Sequence, residues 1–78
     1  MSAAGRAQQL LRRSQATGGQ VAVTYVGADG LAHYRAGRVL AIQGSRFVLA
    51  YLDAARTVRQ ATHDLANPDD VLAVEPVR

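Results

Sequence analysis

Arginine supplies every basic side chain of this 78-residue chain, which has nine basic residues and no lysine. A guanidinium group is planar and holds its N–H donors in a fixed fork, which suits bidentate binding of phosphate. Aromatic side chains beside such groups provide surfaces on which nucleic-acid bases stack. The candidate nucleic-acid-binding residues are four arginines in predicted strands and one tyrosine in a polar stretch: Arg35, Arg38, Arg46, Arg59 and Tyr34.

Charge is distributed unevenly along the chain. Residues 1–46 carry six arginines and one acid, a net charge of +5, whereas residues 47–78 carry three arginines and five acids, a net charge of −2. This asymmetry favours an anionic partner near the N-terminal half. The arginines are also consistent with a GC-rich genome, which enriches this residue, or with solvated charges at sheet edges that discourage pairing between sheets.

The other reactive residue types form no recognisable catalytic or metal-binding pattern. The chain has no cysteine, which excludes disulfides, zinc–thiolate sites and thiol redox chemistry. His33 and His63 are isolated, and Asp64 beside the second does not complete a local metal-ligand spacing. No nucleophile–base pair, pair of catalytic carboxylates or phosphate-binding glycine loop stands out. We therefore predict that the protein is not an enzyme and uses no cofactor.

An amphipathic helix is predicted over residues 3–16. Ser2 is a suitable N-cap, and Gly18-Gly19 is a typical helix stop. Apolar or small residues recur at helical spacing along one face: Ala3, Ala7, Leu10, Leu11 and Ser14.

After Gln20 the apolar pattern changes to a period of two, which is typical of strands. The Asp29-Gly30 pair indicates a hairpin turn, and Asn67-Pro68-Asp69-Asp70 indicates a later turn. Gly37 lies inside the long second strand, where we expect a bend or a bulge. A regular strand would place Arg35 and Arg38 on opposite faces, whereas a bulge at Gly37 would bring them onto the same side. Five strands are predicted, over residues 20–26, 31–43, 46–53, 57–63 and 71–77.

The aromatic residues Tyr25, Phe47 and Tyr51 share the alternating phase of apolar neighbours, which favours core positions. The third strand is apolar on both faces, so we expect it to be buried on both sides, with the helix covering one. The fold class predicted is mainly β: one domain over residues 1–78, with a helix followed by a five-stranded antiparallel Sm/SH3-like small barrel. An open sheet with the helix packed on it remains the alternative.

The third strand and its surroundings resemble the WYL domain family of bacterial regulators, in which an Sm-like barrel carries a Trp-Tyr-Leu signature followed by an alanine–aromatic pair. Phe47 and Val48 replace the first two signature residues. The resemblance covers residues 21–77 and implies that arginines on these strands hold nucleotide or nucleic-acid phosphates. The matching segments are Val23-Thr24-Tyr25, Tyr34-Arg35-Ala36-Gly37-Arg38-Val39, Phe47-Val48-Leu49-Ala50-Tyr51, Val58-Arg59 and Asp64-Leu65.

Together these features predict a non-catalytic module that binds nucleic acid or a nucleotide, in a regulatory or accessory role. The alternative is a protein-interaction or oligomerisation domain, because so small a core favours support from a second copy or a host protein. One contiguous basic face would favour nucleic acid, whereas dispersed charge beside exposed apolar residues would favour a protein partner. No apolar run is long enough to span a membrane, and we expect a cytoplasmic location.

Overall fold

Residues 3–77 fold as one helix followed by five antiparallel strands in a single sheet, which confirms the mainly-β prediction. The computed structural model describes residues 3–77, so the predicted N-cap, Ser2, lies outside the described residues. Each predicted element is confirmed to within about one residue at either end. The elements are α1 (Ala3–Thr17), β1 (Val21–Val26), β2 (Ala32–Gln43), β3 (Arg46–Leu52), β4 (Val58–Asp64) and β5 (Val71–Pro76).

Helix α1 packs on the sheet through the face that its spacing predicts, with Ala7, Leu11 and Ser14 buried. It ends at Gly18, which has a φ of 75° and donates its N–H to the Ser14 carbonyl at 2.8 Å. The Ser14 hydroxyl accepts the N–H of Val39 in β2 at 3.0 Å and donates to the carbonyl of Gly19 at 2.5 Å. A buried hydroxyl with both roles satisfied therefore joins the end of the helix to the sheet.

The strand order is β4-β3-β2-β1-β5, and the long strand β2 belongs to two ladders. Its first half pairs with β1 and its second half with β3, and Gly37 lies opposite both Val21 and Tyr51. A Cβ atom at Gly37 would lie 2.1 Å from the carbonyl oxygen of Ala50. Glycine is required here because the backbone of β3 approaches so closely.

The expectation of a bulge at Gly37 is wrong, because Gly37 is regularly paired in both ladders. The register of β2 shifts instead between Val39 and Ala41, at Leu40. Alternation therefore stays regular from Arg35 to Arg38 and places these two side chains on opposite faces of the sheet.

One face of the sheet, here called the core face, carries the buried apolar cluster together with Leu11 of the helix: Val21, Val23, Val39, Phe47, Leu49 and Val71. The helix packs over β1, β2 and β5. On the opposite, outer face Ala50 is buried, but Leu52 is 62% exposed. The expectation that β3 is buried on both sides is therefore wrong at its C-terminal end.

Strands β4 and β5 are the two edges of the sheet, and they do not pair with each other over the described residues. Closure into a barrel is thus not confirmed. In residues 3–77 there is no helix with the length and apolar character needed to cross a membrane.

Candidate functional site

The hairpin between β1 and β2 positions Arg35. The Gly27 N–H donates to the Leu31 carbonyl at 2.9 Å, and Gly30 takes a φ of 78°, as the predicted Asp-Gly turn requires. This turn sets the register in which Arg35 lies opposite Val23, a fully buried core residue. Because paired residues point to the same side of a sheet, Arg35 projects from the core face.

The guanidinium group of Arg35 lies between two tyrosine rings. Its Cζ atom is 4.1 Å from the centroid of Tyr25 and 4.1 Å from the centroid of Tyr51. Its Nη2 also donates a hydrogen bond to the Tyr25 hydroxyl. Stacking on two aromatic faces attracts the cation and fixes the plane of the fork. Tyr25 and Tyr51 are both half-buried. Tyr25 also packs against the apolar core cluster, as predicted, whereas Tyr51 contributes to this clamp and not to that cluster.

A buried histidine and an aspartate complete the surroundings of Arg35. Nη1 of Arg35 lies 3.4 Å from Nε2 of His63, which is 5% exposed. Nδ1 of His63 lies 2.8 Å from the Asp70 carboxylate, which also accepts the N–H of Asp64 at 2.8 Å. A carboxylate only accepts, so Nδ1 donates, and in the neutral ring the Nε2 lone pair faces the guanidinium. Asp70 therefore orients His63 toward Arg35.

The two histidines that the sequence presents as isolated both lie beside the Tyr25 ring. The ring centroids of His33 and His63 are 5.7 Å and 5.0 Å from that of Tyr25. Nε2 of His33 is 2.9 Å from the Asp29 carboxylate, and this hydrogen bond lowers the pKa of Asp29. In residues 3–77 no three His, Asp or Glu side chains converge as metal ligands.

We call Arg35, Tyr25, Tyr51, His63 and Asp70 the Arg35 cluster. Within the described part of the chain Arg35 makes no ion pair, and its buried Nε has no hydrogen-bond partner. Each terminal nitrogen of a guanidinium carries two hydrogens, so one N–H on each remains beyond the contacts with Tyr25 and His63. Such a group is able to donate two hydrogen bonds to one phosphate or carboxylate.

Two of the other predicted arginines, Arg38 and Arg46, lie on the outer face of the sheet. Arg38 is exposed on the outer face, opposite Ala50. Nε of Arg46 is 3.9 Å from the carboxylate of Asp64, its cross-strand neighbour. These arginines therefore do not join Arg35 in one basic face.

Arg59 is held by an acid. Its Nε donates to the Asp53 carboxylate at 2.6 Å. This hydrogen bond is the main reason that the pKa of Asp53 is lowered and that of Arg59 raised; N–H groups of Thr57 and Ala55 also donate to Asp53. The donors of Arg59 are thus partly occupied within the chain.

Tyr34 is 65% exposed, as predicted, but it lies on the outer face with Arg38 and away from the Arg35 cluster. Sequence reasoning did not assign Tyr25, Tyr51, His63 or Asp70 to the site. The Asp-Gly turn is a sequence signal from which one of them, Tyr25, could have been assigned. It fixes the hairpin register, which places Arg35 diagonally across from Tyr25 on the same face.

Comparisons with protein-family models, with curated proteins and with solved structures find no match to this chain. The resemblance to WYL domains therefore stays a prediction.

Proposed function

We propose that this chain is a non-catalytic module that binds a phosphate group of a nucleotide, or of a nucleic-acid strand, at the Arg35 cluster. The observation that carries the proposal is the guanidinium clamped between Tyr25 and Tyr51, with no ion pair to it in residues 3–77. The proposal includes the role expected from the sequence, that of a cytoplasmic regulatory or accessory protein. The resemblance of its arginine-bearing strands to those of WYL-like, Sm-like barrels supports it.

The physical basis is preorganisation. A free arginine side chain loses about 2 kcal/mol of rotamer entropy when it is fixed on a ligand. In this chain the two tyrosine rings and the Tyr25 hydroxyl hold the fork before any ligand arrives. The half-buried position of Arg35 also lowers the local dielectric constant, which strengthens its attraction for a phosphate.

The dispersed arginines favour contact with one phosphate over contact with a long stretch of backbone. Arg46 and Arg59 have acidic partners, and Arg38 points to the opposite face. A protein that neutralises many phosphates needs them on one surface. A mononucleotide or a short single strand therefore suits this site better than a duplex.

The test is equilibrium binding of mononucleotides and of short single-stranded DNA and RNA, compared between two matched variants. Arg35→Lys keeps the charge but loses the planar fork, and we expect it to weaken binding about tenfold. Arg38→Lys makes the same change in the same strand on the opposite face, and its affinity should stay within about twofold of wild type. For one phosphate contact, log K should fall with log salt concentration with a slope of about −0.7 to −0.9.

Two results would reject the proposal: no binding by the wild-type protein at about 50 mM salt, or equal losses in the two variants. The first would leave the protein-interaction alternative. The exposed side chains of Leu52 and Val58, paired across β3 and β4, favour that alternative.

A further inference from the structure

Strand β4 presents unpaired backbone groups along one edge of the sheet. At one end of its ladder with β3, the Asp53 N–H donates to the Thr57 carbonyl at 3.1 Å. At the other end, the Leu65 N–H donates to the Ser45 carbonyl at 2.8 Å. Hydrogen-bonded pairs alternate in an antiparallel ladder, so the odd-numbered residues of β4 bond to β3 and the even-numbered residues face outward.

One of the outward positions is already occupied, because the Asp70 carboxylate accepts the Asp64 N–H. The remaining three are Val58, Gln60 and Thr62, which by this alternation do not bond to β3. Over the described residues their backbone groups also make no hydrogen bond to turns or loops. All three residues are exposed, and no bulge or proline interrupts β4. Such an edge is a template for another strand.

We propose that β4 pairs antiparallel with β4 of a second copy of this chain, about a two-fold axis through Gln60. The free positions are spaced evenly about Gln60, so this register places Gln60 opposite Gln60 and Val58 opposite Thr62. It pairs all three outward positions on both copies, through about six backbone hydrogen bonds. A shift of two residues in one direction would place the occupied Asp64 N–H within the pairing. The same shift in the other direction would place Thr62 opposite Arg56, whose N–H already donates to the Asp53 carbonyl.

The side chains are compatible with this register. On the outer face, Val58, which is 68% exposed, packs beside Thr62 of the second copy, with Leu52 next to it across β3 and β4. On the core face, Arg59 lies opposite the small Ala61 of the second copy. The charge of Arg59 is offset by Asp53 within its own chain. No like charges stand directly opposite each other.

A second copy is favoured because the other edge of the sheet is protected. The pairing of β5 with β1 is irregular at Leu72, and Pro76 has no N–H to donate. Head-to-tail pairing of β4 with β5 is therefore disfavoured. Pairing of β4 with β4 is isologous and closes at a dimer.

The first test is sedimentation equilibrium of the full chain over a wide concentration range. The N–H of Gln60 points away from β3, so Gln60→Pro removes an outward donor without breaking the existing ladder. We expect wild type and the control Gln60→Ala to form dimers at high concentration, and Gln60→Pro to remain monomeric. If the wild-type chain stays monomeric up to about 1 mM, its dimer dissociation constant is weaker than millimolar, and the proposal is overturned.

The absence of cysteine allows a second test that does not depend on how well the proline variant folds. In the proposed register the two Gln60 Cα atoms are about 5.5 Å apart, within disulfide range, so Gln60→Cys should form a disulfide-linked dimer under mild oxidation. The two Val58 Cα atoms are offset by four residues, about 13 Å along the strands, so Val58→Cys alone should not form one. A mixture of Val58→Cys and Thr62→Cys should form the mixed dimer. Equal cross-linking of Val58→Cys and Gln60→Cys would overturn the register.

Discussion

The core face of the sheet has two halves that differ in how they are filled. In the half beneath α1, the side chains of Leu11, Val23 and Leu49 pack with almost no exposure to solvent. In the open half, Tyr25 and Tyr51 are only half-buried, and a cation occupies the space between them. The first half gains free energy from apolar burial, whereas the second holds a half-buried charged group.

The difference arises from where the helix lies. It packs over β1, β2 and β5, and Ser14 joins it to β2 at Val39. In the part of the core face that the helix does not cover, Arg35 lies between its aromatic neighbours. We expect stability to depend mainly on the covered half and binding mainly on the open half.

The largest effect is expected from truncating two aromatics of β3, one in the buried apolar cluster and one in the Arg35 cluster. Phe47 is 1% exposed, and Phe47→Ala should lower the free energy of unfolding by about 3–5 kcal/mol, enough to unfold much of so small a domain. Tyr51 lies on the same face four residues later. Tyr51→Ala should lower the free energy of unfolding clearly less than Phe47→Ala does, and it should weaken phosphate binding. Urea unfolding and the binding assay measure the two effects. Equal destabilisation by the two variants would remove the distinction between the halves.

A smaller effect is expected where the helix joins the sheet. Ser14→Ala leaves the buried N–H of Val39 without its acceptor and should lower the free energy of unfolding by about 1–3 kcal/mol. Thr17→Ala is the control, because the exposed Thr17 hydroxyl makes only local hydrogen bonds: it donates to the Arg13 carbonyl at 2.8 Å and accepts the N–H of Gly19 at 3.2 Å. Thermal unfolding compares the two variants. If Thr17→Ala lowers the stability as much as Ser14→Ala does, the hydrogen bonds of the Ser14 hydroxyl do not specifically stabilise the covered half.

The smallest effect on stability is expected from replacing Asp53, which lies at the margin of the open half. The hydrogen bond from Arg59 lowers the pKa of Asp53 below its ordinary value of 3.8, so near that pH the unfolded chain binds more protons than the folded one. The stabilisation is present above pH 3.8 and is lost as the pH falls from there through the lowered pKa. Asp53→Asn should therefore flatten the fall in Tm below about pH 4.

Asp69→Asn provides the control for this pH series, since the Asp69 carboxylate makes no hydrogen bond to other residues in the described range 3–77. A similar flattening in both variants would mean that the Arg59–Asp53 pair is not its source.

The fold was predictable to the extent that local chemistry decides it. The Asp29-Gly30 turn, the helix stop at Gly18 and the alternation of β3 each depend on neighbouring residues, and each lies where it was expected. The role of Gly37 was mistaken. The need for glycine comes from the backbone of Ala50, a contact between strands that no local pattern reveals.

The site was less predictable than the fold, because its five members come from four strands and a turn. Arg35 was singled out by residue type and by the resemblance to WYL domains. Its setting required β1 to β4 and the turn before β5 to meet, bringing Tyr51, His63 and Asp70 to it. Because the arginines were grouped by residue type, the predicted site also combined residues that lie on opposite faces of the sheet.

The pairing of β1 with β5 has a consequence for how the protein assembles. It joins strands roughly 50 residues apart in sequence, whereas the other pairings join strands that follow one another. Closing so long a loop costs more entropy than forming a hairpin, so β5 is expected to dock late in folding. Pulsed hydrogen exchange during refolding should protect β2 and β3 before β5. Because Asp70 directly precedes β5 and holds His63, Arg35 acquires its complete set of neighbours only when the last strand is in place.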